Sequence, residues 1–129
     1  MKKIFLIPSI LLMIMAIAVT AYSAEEPKCT QGEMWQIIVN NAYRIADEYA
    51  TSRNPRSTFL STKENYSFVK QFGGEYKGKY LLLITNEHGR DTSFAVLLPL
   101  FDVDKSSDGL DDNKPLWKVV SAKLNGKPY

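Results

Sequence analysis

Met1-Lys2-Lys3 is followed by an almost unbroken apolar run, Ile4 to Val19, interrupted only by Pro8 and Ser9. No other feature constrains the fold as much, because this run is either the largest piece of the core or no piece of it. A short basic start, an apolar stretch and then small residues from Thr20 to Ala24, Tyr22 excepted, is the order of a secretory signal peptide. The run approaches the roughly 20 residues that a membrane-spanning helix needs. Pro8 near its start and the small residues at its end fit a cleaved leader better than an anchor. We therefore expect residues 1–24 to be removed, with the mature chain starting between Tyr22 and Glu25. Cys29 lies close behind, but Glu26-Pro27-Lys28 is charged and stiff where lipid attachment needs a small apolar lead-in. The expected product is soluble, periplasmic or secreted, and without a stable membrane anchor.

Taking the 24 leader residues from the 129 of the chain leaves 105, enough for one small domain, residues 25–129, with a modest core. The leader holds two of the 16 basic residues and none of the 14 acidic ones, so the remainder is neutral. A neutral domain without a basic stripe gives no electrostatic case for nucleic acid or an anionic membrane as partner. One cysteine excludes an intramolecular disulfide. In an oxidising compartment Cys29 is then either buried and inert or paired with another chain.

Thr30 and Glu33 have the spacing of a capping box, and a helix is expected from there to about Ser52. Met34, Trp35, Ile38, Ala42, Ile45 and Tyr49 fall on one stripe at the helical period, which places Tyr43 on the polar side. Arg53-Asn54-Pro55-Arg56 ends it. Ser61 to Glu64 reads as a second capping box. Phe68, Val69 and Phe72 then suit one face of a short helix stopped by Gly73-Gly74, although Tyr66, Phe68 and Val69 are also good strand formers. Tyr80 to Thr85 is apolar on both faces, as in a central strand. Asn86 to Asp91 reads as a turn around Gly89. Thr92 to Phe101 returns with Phe94, Val96, Leu98 and Leu100 on one face, and Pro99 requires an edge or a bulge. An acidic loop spans Asp102 to Lys114, Leu116 to Leu124 is the last strand, and Gly126 to Tyr129 is a tail.

Helices first and an antiparallel meander last predict an α+β roll, with a long helix and a short second one on three or four strands. In element order, and in a last strand that carries Trp117-Lys118-Val119, the chain is similar to cystatin-like and NTF2-like domains. No residue motif carries the similarity, so it implies a fold and transfers no functional residue.

The residues that could perform catalysis are few. His88 is the single histidine and falls in the expected turn, no serine has a Gly-x-Ser-x-Gly setting, and one His with one Cys cannot make a zinc site. Neither an enzyme activity nor an obligate cofactor is expected. The acidic loop is the one candidate metal site. Asp104-Lys105-Ser106-Ser107-Asp108-Gly109 resembles the first half of an EF-hand loop, with oxygen ligands at alternate positions. The resemblance covers six residues, and Pro115 stands where the closing glutamate belongs. Asp102, Asp104 and Asp108 are the calcium ligands this reading would use.

Export, small size, neutrality and the lack of catalytic groups point to a non-enzymatic module that binds a protein partner, of inhibitor or immunity type. The alternative is a small-molecule pocket between helix and sheet in an NTF2-like roll, lined by Trp35, Tyr49, Phe94 and Trp117.

Overall fold

The computed structural model describes residues 26–55 and 65–129. The expected leader and the second capping box lie outside them. One α-helix packs on a five-stranded antiparallel sheet of simple meander order, so the expected α+β class is the one observed. A 3-10 turn, Lys28–Gln31, leads into α1, Trp35–Arg53. The strands are β1 Tyr66–Lys70, β2 Tyr80–His88, β3 Asp91–Pro99, β4 Trp117–Leu124 and the two-residue β5, Lys127–Pro128.

α1 does not start at the expected capping box. Thr30 Oγ1 instead donates to the Pro27 carbonyl at 2.7 Å within the 3-10 turn, and extended Gly32 separates that turn from the helix. The buried face keeps Ile38 and Ala42 of the expected stripe and turns away from the rest. Ile38, Val39, Ala42, Tyr43, Ala46 and Ala50 are buried, whereas Trp35, Ile45 and Tyr49 sit at the margin. Tyr43, expected to point outward, is only 2% exposed, and its hydroxyl accepts the Asn65 N–H at 3.1 Å. The facing side chains are Leu82, Ile84, Ala95, Leu97, Leu116, Trp117 and Ala122. Three helix alanines opposite two sheet alanines let the backbones approach closely, and the large residues fill the ends.

The segment expected as a second helix is β1, paired with β2 from Tyr66↔Ile84 to Lys70↔Tyr80. Pairing turns Tyr66 and Phe68 onto the core side, which a lone helical turn could not do for both. The glycines then serve the β1–β2 connection, where Gly74 and Gly78 take φ of 81° and 84°. The strand count is five, not three or four, because the expected tail turns back at Asn125-Gly126 and pairs with β4. An Asn-Gly pair with both φ positive is the preferred two-residue hairpin turn. The β2–β3 turn is likewise shorter than expected, with His88 paired to Asp91 inside the ladder. β3 buries Ser93, Ala95 and Leu97 toward α1, so Phe94, Val96 and Leu98 lie on the other, half-exposed face. Pro99 closes β3 opposite Trp117, and the β3–β4 register shifts between Val96 and Leu97.

Candidate functional site

Of the four residues expected to line one pocket, the structure brings together two. Trp35, in the first turn of α1, has its ring centroid 6.2 Å from that of Trp117 at the start of β4. Tyr49 is 14 residues further along α1, about 21 Å away at the helical rise, and the Arg53 guanidinium covers its ring at 3.5 Å. Phe94 lies across the sheet. Between helix and sheet the described side chains form the hydrophobic core.

The aromatic cluster has other members, which periodicity could not supply because they come from β1, β2 and a loop. Phe68 stands 5.2 Å from Trp35, 5.0 Å from Tyr80 and 5.9 Å from Trp117, and Phe101 meets Trp117 edge-on at 5.1 Å. Trp35 Nε1 donates to the Tyr66 hydroxyl at 3.3 Å, which ties α1 to β1. Trp117 Nε1 donates to the Ile38 carbonyl at 2.9 Å. Both indole donors are thus satisfied, as burial of their rings requires.

This cluster opens outward as a cleft of about 660 Å3, between β1 and the segment that precedes α1. Trp35, Tyr66, Phe68 and Tyr80 form its aromatic wall, and Lys70 and Glu26 stand at its rim. Phe72, 82% exposed, and Val69, 38% exposed, lie beside it. Two neighbouring clefts continue the groove. One runs past Lys79, Asp102 and Asp104, the other past Lys28 and Gln31, and Lys70 and Tyr80 line both.

Among the described residues the edge of β1 along this groove is open. The Asn65 carbonyl accepts the Thr85 N–H at 3.0 Å and the Gln71 N–H donates to Lys79 at 2.8 Å. In an antiparallel ladder this parity turns the backbone groups of residues 65, 67, 69 and 71 toward β2. Those of Tyr66, Phe68 and Lys70 point the other way, where among the described residues no strand pairs with them.

The three calcium candidates are spread along the loop between β3 and β4. Asp102 Oδ1 accepts the N–H of Asp104 at 2.9 Å. Asp108 Oδ1 accepts the N–H groups of Glu33 and Met34, at 2.7 and 3.3 Å, and its Oδ2 accepts the Ser106 hydroxyl at 3.0 Å. Asp108 therefore caps α1 from 75 residues away. Among the described residues no group of three or more His, Cys, Asp or Glu side chains is arranged to hold a metal ion.

Two further groups expected to be inert or solvated are held in the structure. His88 Nε2 lies 3.0 Å from Ser93 Oγ, which in turn lies 2.8 Å from the Tyr129 hydroxyl. The spacing resembles a nucleophile with its base, but Ser93 has no exposed surface from which to reach a substrate. Cys29 is fully buried, and its N–H donates to the Val103 carbonyl at 3.2 Å. Burial, with the negative charges of Asp104 and Asp102 adding to it, pushes its thiol up to about 11. A thiol so held is a poor nucleophile.

Among the described residues no helix is long and apolar enough to cross a membrane. Compared with protein-family models, with curated sequences and with solved structures, the chain matches none.

Proposed function

We propose that this chain is a small exported, non-enzymatic protein-binding module that works in the periplasm or outside the cell. One observation carries the reading. An aromatic cleft of about 660 Å3 runs beside the outer edge of β1, which no described strand pairs, with Phe72 and Val69 exposed at its side. Aromatic side chains in desolvated clefts dominate protein recognition, and an exposed phenylalanine adjoining such a cleft extends its apolar surface. An inhibitor or immunity-type role fits export and neutrality. The likeness of element order to cystatin-like and NTF2-like rolls belongs to the same proposal. A small-molecule role in such a roll is the weaker alternative, since side chains fill the space between helix and sheet.

The test uses the full chain, tagged at its C-terminus and expressed with export. A photo-crosslinking amino acid replaces Phe72, and in a control it replaces the exposed Thr92. A partner crosslinked from the Phe72 position alone is identified by mass spectrometry, purified and titrated. Trp35→Ala and Phe72→Ser should each weaken its binding at least tenfold, about 1.4 kcal/mol. Equal crosslinking from both positions, or full affinity in both variants, refutes the reading.

A further inference from the structure

The geometry points to strand addition as the way the cleft is used: an extended segment of a partner protein pairs with the open edge of β1 and sets an acidic side chain against Lys70. This rests on the reading of the cleft as a protein-binding surface, and it adds the partner's conformation and charge. The outward N–H and C=O groups of Tyr66, Phe68 and Lys70 form a ready template for a further strand. Their side chains, at alternate positions, face the cleft, where Phe68 stacks with Trp35 and Tyr80. Main-chain pairing with pockets for alternate side chains is how sheet edges bind extended peptides. A strand laid there puts every second side chain over this aromatic wall and the intervening ones beside Val69, on the opposite face of β1.

Charge selects the occupant. Lys70 is exposed, lines all three clefts of the groove, and has no ion-pair partner among the described residues. An acidic residue opposite it supplies the missing counter-charge. Antiparallel pairing of a second copy about Phe68 would set Lys70 against Tyr66 and leave both lysines unmatched. The partner is thus an extended segment that alternates apolar residues with at least one acid.

The probe is a phage-displayed library of random short peptides, selected against the purified full chain. Enriched peptides should carry an acid among alternating apolar residues and slow amide exchange at Tyr66, Phe68 and Lys70. The discriminating variant is Lys70→Pro. Its lost N–H points away from β2, so β1 keeps its pairing and the fold its unfolding midpoint while the edge is blocked. Binding should fall at least tenfold, and in Lys70→Glu the selected peptides should exchange acid for base. Unchanged affinity in Lys70→Pro overturns strand addition. If Trp35→Ala still abolishes that binding, the cleft reading survives. Peptides without an acid, or three amides that remain unprotected, also overturn the inference. So does protection that grows with protein concentration alone, which would assign the edge to a second copy.

Discussion

Replacing Asp108 with alanine removes the acceptor of the two N–H groups that lead into α1, those of Glu33 and the N-cap Met34, at 2.7 and 3.3 Å. Met34 makes no side-chain cap of its own, and the first turn of α1 contains no acid. Loss of a capping oxygen costs about 1 kcal/mol, within a range of about 0.5–2, and loss of the negative charge from a helix N-terminus adds about 0.3–1. Asp108 is exposed, so the lower half of the combined range applies, about 1–2 kcal/mol. For a domain of this size the midpoint of thermal unfolding should fall by roughly 5–10 °C. Asp108→Asn keeps an acceptor and loses only the charge, so about half the effect should return. Asp102→Asn is the internal control, because its carboxylate closes only a turn within the loop, on the Asp104 N–H. Equilibrium urea unfolding of the full chain and the three variants measures the free energies, and thermal unfolding of the same set measures the midpoints. A loss below about 0.3 kcal/mol for Asp108→Ala, or an equal loss for Asp102→Asn, refutes the capping argument. Repeating the series in millimolar calcium separates cap from metal site. Calcium should leave the midpoint of the parent protein within about 1 °C, since the capping oxygen is already engaged.

Three further outcomes follow from the packing. A Cβ at Gly32 would come 2.7 Å from the Ser107 backbone nitrogen and from Ser106 Oγ, so Gly32→Ala must push the loop away and should cost about 1–3 kcal/mol in the same urea assay. Its φ of −81° is open to any residue, so the effect is close approach and not backbone strain. Cys29, raised to about 11, should react with a thiol reagent at pH 8 only as fast as the chain unfolds, since about one thiol in a thousand is ionised there. Because this pKa lies above the ordinary 9.0, the thiol's contribution to stability is intact below pH 9 and lost as pH rises toward 11; Cys29→Ala should remove that part of the alkaline slope. His88→Ala takes a partner from the fully buried Ser93 hydroxyl and should cost about 1 kcal/mol, measured by thermal unfolding.

The fold class and the strands β2 to β4 are legible in the sequence because each has a run long enough to show its period. The helix face is not. Trp35, Ile45 and Tyr49 dominate a hydrophobic pattern, yet the close approach to the sheet is made by Ala42, Ala46 and Ala50, whose signal is weak. β1 is five residues long, and its state is set by pairing with β2 rather than by its own propensity. β3 is apolar at both parities, so nothing in it distinguishes Ala95 and Leu97 from Phe94 and Val96. The Asn125-Gly126 hairpin carries a readable signal in the Asn-Gly pair itself, but the strand that follows is two residues long and shows no period. Trp35 and Trp117 could be proposed for the site from their size alone. Phe68, Tyr80 and the open edge between them depend on topology.

The loop richest in acids, and so the one that suggested a metal, is the part that holds the cleft in shape. Leu100 N–H to Leu116 carbonyl, at 2.9 Å, closes its base. From there its Val103 carbonyl holds Cys29, Ser107 packs against Gly32, Asp108 caps α1, and the Asp112 carbonyl accepts Asn41 Nδ2 at 3.0 Å. Each of these contacts fixes the segment before α1 or the first half of the helix. Trp35 is the first residue of that helix, and its ring forms one side of the aromatic wall against Phe68. The position of the wall therefore depends on the loop. Asp108 is central to this arrangement because both of its oxygens are engaged, Oδ1 by the Glu33 and Met34 N–H groups that lead into α1 and Oδ2 by the Ser106 hydroxyl.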